Sequence, residues 1–161
     1  MSKRTIIFII IILIIFFIVK ILPMLGSEEE KIKKIIYAAK TATEEEKLLK
    51  CMSYISMDYD DKHGNRRGNL FIIGQNVFKT YDDILILIED LGINVEDSTS
   101  AKAHIVVSGQ GRRSGEEKLR YLWDTEKVEL NVDFKKEGND WKVAKLDFIE
   151  PEDFMNFLKG L

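Results

Sequence analysis

The chain is poor in the residues that staple small proteins or hold metals. It has one cysteine, two histidines and two prolines in 161 residues. A single cysteine permits no intramolecular disulfide, so the fold must be held by its core. Cys51 also lies far from the apolar N-terminal run, which excludes a lipid-modified cysteine anchor there. His63, His104 and Cys51 are too few for the three or four nitrogen and sulfur ligands of a zinc centre. With so little proline and no low-complexity tract, no long disordered linker is expected. A nucleotide-binding glycine fingerprint and a G-x-S-x-G nucleophile turn are both missing, since the glycines of GQG (109–111) have the wrong spacing. No excess of positive charge is present either. The formal net charge is −3, and without Lys3, Arg4 and Lys20 the remaining 21 bases face 27 acids, about −6. This argues against nucleic acid and against tight docking on anionic lipid.

One long hydrophobic run is present. Ile6 to Val19 contains no polar side chain, and beyond Lys20 the apolar character resumes to Leu25. A membrane-spanning helix needs about 20 mostly apolar residues. Residues 6–25 meet that need if Lys20 snorkels its ammonium to the interface. The rival reading is a cleaved signal peptide, but KILPMLGS after the run offers no A-x-A-like site. Lys3 and Arg4 favour a cytoplasmic N-terminus. The expectation is a single-pass anchor (1–26) in a bacterial inner membrane. The rest of the chain would then lie on the periplasmic or extracellular side.

The remainder has the size of one domain (27–150) followed by a short amphipathic helix (151–161). Ser27 with Glu30 reads as a capping box, and Ile32, Ile35, Ile36 and Ala39 repeat at helical spacing. Thr43, again followed by three glutamates, reads as the cap of a second helix with Leu48, Met52 and Ile55 on its face. A third helix is expected over 69–79. From Ile84 the period changes to that of strands. Strands are expected over 84–95 (bent at Gly92), 101–108, 128–135 and 141–148, the last two joined as a hairpin through EGND. On the third, Val128, Leu130, Val132 and Phe134 alternate with polar residues, as in a sheet with one buried face. GQGRRSGEEKLRYLWDTE is expected as a long connection. Phe154, Phe157, Leu158 and Leu161 form the apolar stripe of the C-terminal helix. Helices followed by antiparallel strands make an α+β domain.

Three segments carry a family resemblance: the joint DYDDKHGNRRG (58–68), the pair INVEDSTSAKAHIVVSG (93–109), and VELNVDFKKEGNDWKVAKLDF (128–148). Over residues 28–149 the chain resembles the nuclear-transport-factor-2-like, or cystatin-like, superfamily. That resemblance implies a cone of about three helices on a curved antiparallel sheet. The superfamily includes ketosteroid isomerase, scytalone dehydratase, limonene epoxide hydrolase and many non-enzymatic binding or scaffolding domains, so fold does not select a function. Bitopic assembly factors of type IV secretion systems share the layout of an N-terminal anchor and a periplasmic domain of this class.

DYDDKHGNRRG looks at first like a metal loop. Counted from Asp58 as an EF-hand, position 5 is Lys62, position 6 is His63 and position 12 is Asn69, where an oxygen, a glycine and a glutamate are required. It reads better as a polar joint between helices, with Arg66 and Arg67 close to its aspartates. Ketosteroid-isomerase chemistry needs a carboxylate base with tyrosine and protonated-acid donors. No residue here aligns with those positions. Tyr37 and Tyr54 on the helices and His104 on a strand are candidate pocket residues. Arg112, Arg113 and Trp123, on the long connection, are candidate interface residues, since arginine and aromatic side chains favour interfaces. No catalytic, cofactor or metal residue is assigned.

The reading that follows is a membrane-anchored extracytoplasmic binding or scaffolding domain without catalysis. Its partners are the bilayer through 6–25 and a second copy or an envelope protein. The alternative is a cone that holds a small apolar ligand or works as an isomerase- or hydratase-like enzyme. A weaker alternative is a component of a secretion or envelope assembly.

Overall fold

The computed structural model describes residues 26–122 and 126–149. Three helices, α1 (Glu28–Glu44), α2 (Leu48–Ser53) and α3 (Arg67–Thr80), precede five strands. The strands are β1 (Tyr81–Val95), β2 (Ser100–Arg113), β3 (Leu119–Tyr121), β4 (Val128–Glu137) and β5 (Asp140–Phe148). All pairings are antiparallel, in the order β1-β2-β4-β5, with β3 pairing the far end of β2. This is the expected α+β layout. Among the described residues no helix is long and apolar enough to cross a membrane. The segment 6–25, Trp123 and residues 151–161 lie outside the described residues.

Alternation places the core. On β2, Ala101, Ala103, Ile105 and Val107 are buried, and on β4 Val128, Val132 and Phe134 are. They meet Trp141 and Val143 of β5 and Ile32 and Ile36 of α1 in one cluster. The opposite face carries the polar partners, because successive strand side chains point to opposite sides. The 54–62 segment runs along β5. Ser56 N–H donates to the Val143 carbonyl, and Val143 N–H to that of Tyr54, both at 2.8 Å. That edge of the sheet is therefore paired rather than bare.

Several expected boundaries differ. Thr43 does not cap a second helix. It stays inside α1, where its hydroxyl donates back to the Ala39 carbonyl at 2.9 Å. The chain breaks later, at Glu46 with φ 54°, so α2 is short and begins at Leu48. Ile55, expected on the second helix, forms a bridge to Val143 instead. β1 is not bent at Gly92, which pairs regularly with His104. Its irregularities fall between Asp82 and Leu85 and between Ile88 and Asp90. GQGRR is strand rather than connection. Gly111 sits where an added Cβ would lie 2.8 Å from Leu122 Cδ2 and 3.3 Å from Tyr81 Cβ. Glycine here allows close packing, not a turn.

Candidate functional site

α1 lies across the inner face of the sheet and is fixed at both ends. At its start, Ser27 Oγ accepts from Glu30 N–H at 3.2 Å. Glu28 accepts from Lys31, Lys136 and the Trp141 indole. The Lys31 ammonium, then Lys136 and Trp141, hold the Glu28 carboxyl down to about 2. At its end, Glu44 takes the Lys40 ammonium on both oxygens at 2.7 Å and also accepts from Ile86 N–H at 2.9 Å. The helix therefore bridges the β4–β5 hairpin and β1.

Between the second half of α1 and the sheet lies a cavity of about 270 Å³. It is lined by Ile35, Ile36, Ala39, Lys40 and Thr43 from α1 and Ile86 and Ile88 from β1. The floor is Ile105 and Val107 of β2, Leu130, Val132 and Phe134 of β4, and Val143 and Leu146 of β5. Lys40 and Thr43 are the only polar residues in that lining. Both are engaged, Lys40 by Glu44 and Thr43 by Ala39, with Cys51 Sγ 3.6 Å from the Thr43 hydroxyl. Burial pushes the Cys51 thiol above its ordinary value, which disfavours the thiolate. The space is apolar, with a neutral ion pair at its rim. Among the described residues, no group of three His, Cys, Asp or Glu is placed to hold a metal ion.

The residues singled out from the sequence are scattered, and none of those described lines the cavity. Tyr37 is exposed on α1. Tyr54 ends α2 with the Lys50 ammonium 5.2 Å from its ring centre. His104 is on the outer face, its Nδ1 3.3 Å from Asn131 Oδ1 and its Nε2 3.6 Å from Glu129. Arg112 pairs with Asp83 at 2.7 Å, and Arg113 ends β2 opposite Tyr81. Sequence reasoning missed Lys40 and Thr43. Both continue the Ile32–Ile36–Ala39 stripe at helical spacing, and that is the signal by which they were visible.

DYDDKHGNRRG turns out to be organised by one carboxylate. Asp61 accepts from His63 N–H at 2.8 Å, Asn65 N–H at 2.9 Å and the Asn65 amide at 3.0 Å. The buried Tyr59 hydroxyl donates to it at 3.1 Å. Arg66 pairs with Asp60 through a backbone bridge, but among the described residues neither arginine forms an ion pair with the aspartates. Arg67 donates to the Met52 carbonyl, and Asp58 is taken by Lys135. A backbone donor serves the carboxylate better here, because the turn at Gly64 (φ 76°) aims the amides inward.

The helix order and the antiparallel sheet agree with solved structures. A superfamily protein from Salmonella enterica aligns with a TM-score of 0.62 over 74% of this chain and 87% of its own, at 10% identity. The fold is the nuclear-transport-factor-2-like cone. A ketosteroid isomerase-like protein from Erwinia carotovora atroseptica gives 0.59 over 78% of this chain and 99% of its own, at 14% identity. A type 2 hexachlorocyclohexane dehydrochlorinase gives 0.63 over 76% and 84%, at 11% identity. No protein-family model matches the sequence, and no curated protein does. In this nuclear-transport-factor-2-like cone the interior is the cavity under α1, and identities this low carry the fold alone.

Proposed function

We propose that the chain is a non-catalytic binding module whose cone holds a small apolar ligand, tethered to the membrane by residues 6–25 with the cone outside the cytoplasm. The observation that carries the reading is the cavity lining: every side chain that β1, β2, β4 and β5 contribute is aliphatic except Phe134, with one neutralised ion pair at the rim. A site of about 150 Å³ with similar walls stays dry and admits benzene. At about 270 Å³ this one suits a body of one or two rings. Ligand pockets usually begin at about 300 Å³, so the occupant is small. An isomerase- or hydratase-like reaction would need a free base facing the ligand. The carboxylate nearest the rim, Glu44, is committed to Lys40 and the Ile86 amide.

The test uses the full-length chain in detergent micelles with isotope-labelled methyl groups, titrated with toluene and with indole. Saturable shifts are expected at the methyls of Ile36, Ile105 and Val132. Ala39→Leu, which fills the cavity from α1 at little cost in helix propensity, should weaken binding about tenfold or more. Methyls that stay in place in the wild type, or an Ala39→Leu protein that binds as well, would overturn the reading.

A further inference from the structure

Polar side-chain atoms reach the cavity only from Lys40 and Thr43, so its hydrogen-bonding capacity can be counted. An ammonium has three protons. Glu44 takes at most two of those on Lys40, one for each oxygen at 2.7 Å, and among the described residues the ammonium has no other partner. At least one N–H donor therefore remains. A hydroxyl has one proton and two lone pairs. The Thr43 proton goes to the Ala39 carbonyl at 2.9 Å, and the Cys51 thiol, kept protonated by burial, is the donor across 3.6 Å. One lone pair on the Thr43 oxygen remains. Lys40 and Thr43 are three residues apart on α1, a spacing that puts them on one helix face with Cβ atoms about 5–6 Å apart. Glu44, one residue beyond Thr43, draws the ammonium along the helix in that direction. One donor and one acceptor are thus neighbours at the rim, and the rest of the lining is hydrocarbon.

We propose that the occupant is an apolar molecule with a single hydroxyl, a phenol or a cyclic alcohol, whose oxygen accepts from Lys40 and donates to the Thr43 oxygen. This rests on the reading of the cavity as a site for a small apolar ligand and names the class of that ligand. Two hydrogen bonds of about 2.9 Å that meet at one oxygen span roughly 5 Å, the spacing of neighbouring positions on a helix face. Other polar groups match less well. A ketone oxygen accepts from Lys40 but has no proton for Thr43. A carboxylate sets a second negative charge beside Glu44 and turns lone pairs towards the Thr43 lone pair. An ammonium meets the charge of Lys40. A second hydroxyl, placed among Ile105, Val132 and Phe134, has no partner and weakens binding about tenfold. The ion pair is itself well covered, its side chains 25% and 21% exposed, so little water competes for the remaining Lys40 proton. Lys40 and Thr43 are then the residues that set specificity, and the carbon body of the ligand points away from them towards the sheet.

Phenol and toluene differ only by a hydroxyl in place of a methyl group, and that pair tests the proposal. Both are titrated into the full-length chain in micelles, with benzoate as a third probe, and dissociation constants are referred to free aqueous concentrations. Without partners in the cavity, loss of hydration at the hydroxyl would make phenol about tenfold weaker than toluene. With them, phenol should bind at least as tightly as toluene and more tightly than benzoate. The ratio of the phenol to the toluene constant is then followed through substitutions, so that a general change in the cavity divides out. Thr43→Val should raise the ratio about three- to tenfold, and Thr43→Ser, which keeps the oxygen, should hold it near the wild-type value. The wild-type comparison stands even where a substitution unfolds the chain. Phenol about tenfold weaker than toluene, a ratio unmoved by Thr43→Val, or benzoate bound as well as phenol overturns the proposal and leaves the cavity reading intact. If neither ring binds, the cavity reading falls and the proposal falls with it.

Discussion

Removing the Asp61 carboxylate tests whether DYDDKHGNRRG is a structural joint. Asp61 is 9% exposed and receives the Tyr59 hydroxyl, the His63 and Asn65 amides and the Asn65 side chain. Asp61→Ala leaves at least three donors without an acceptor in a mostly closed loop. Each buried donor left unpaired costs about 1–3 kcal/mol. Water reaches part of the loop, so the lower end of that range, about 1 kcal/mol for each of three or four donors, applies, giving about 3–4 kcal/mol in all. At roughly 4 °C per kcal/mol for a domain of this size, the melting temperature should fall by roughly 12–16 °C. Asp61→Asn keeps one carbonyl oxygen for the two backbone amides. The Tyr59 hydroxyl can rotate and the Asn65 amide can flip, so its cost should be about 1–2 kcal/mol. Acid adds a second check. Burial acts to raise the Asp61 pKa, but hydrogen bonds from Asn65 and from the His63 amide outweigh it and hold the carboxyl below its ordinary 3.8. A lowered folded-state pKa gives stability that is complete above 3.8 and lost as pH falls through the folded value. The gap between wild type and Asp61→Asn should therefore shrink between pH 7 and pH 3. Thermal unfolding followed by near-ultraviolet circular dichroism, on full-length protein in micelles, measures all three. An Asp61→Ala protein as stable as wild type, or less harmed than Asp61→Asn, would refute the reasoning.

Gly111→Ala should destabilise by about 1–3 kcal/mol, because its Cβ would meet Leu122 and Tyr81 in a closed cluster. Gly92→Ala meets nothing within 4 Å and should be neutral or stabilising by up to about 1 kcal/mol. Parallel thermal melts decide, and the reverse order would show that the packing of β2 has been misread. The Glu28 carboxyl should titrate near 2 by carbon-detected NMR, and Lys136→Met should move the midpoint up towards 4.5. Its stabilising effect is complete above 4.5 and fades as pH falls towards 2, so a wild-type midpoint near 4.5 would mean that the α1 anchor to Lys31, Lys136 and Trp141 is absent in solution.

Local signals that act within one element were legible in the sequence. Ser27 with its three glutamates marked the start of α1, and alternation marked the inner face of β2 and β4. EGND marked the hairpin, which closes through Gly138 at φ 63°. Errors arose where one motif serves two geometries. Thr43-Glu-Glu-Glu has the composition of a helix cap, but a threonine hydroxyl can equally bond four residues back, and here it does. GQG reads as a loop because the partners that require Gly111, Tyr81 and Leu122, are distant in sequence or follow an irregular stretch. The cavity is a property of what fails to fill the space between α1 and the sheet. Composition does not report that, although the stripe from Ile32 to Thr43 does report which side of α1 faces it.

The period-2 alternation that makes the core also decides what chemistry the cone can contain. Inward positions on β2 are Ala101, Ala103, Ile105 and Val107, and their outward neighbours include Lys102 and His104. On β4, Val128, Leu130, Val132 and Phe134 face α1 while Glu129, Asn131 and Asp133 face away. The irregularity at Asp133–Phe134 repeats the pattern on β5, turning Val143 and Leu146 inward and leaving Lys145 to pair with Asp147 outside. Lys102, His104, Glu129, Asp133, Lys145 and Asp147 thus stand on the far side of the sheet from the cavity, while Lys136 reaches the start of α1 at Glu28, outside the cavity lining. A slip of one residue would exchange the two sets, but it would also expose Phe134 and Val132 and bury Asp133. Along the cavity, this packing leaves Lys40, held by Glu44, as the one ionisable side chain in the lining. For this reason, binding of an apolar body precedes reaction in the reading of this site. A base introduced at an inward position such as Val132 would be the shortest route from one to the other.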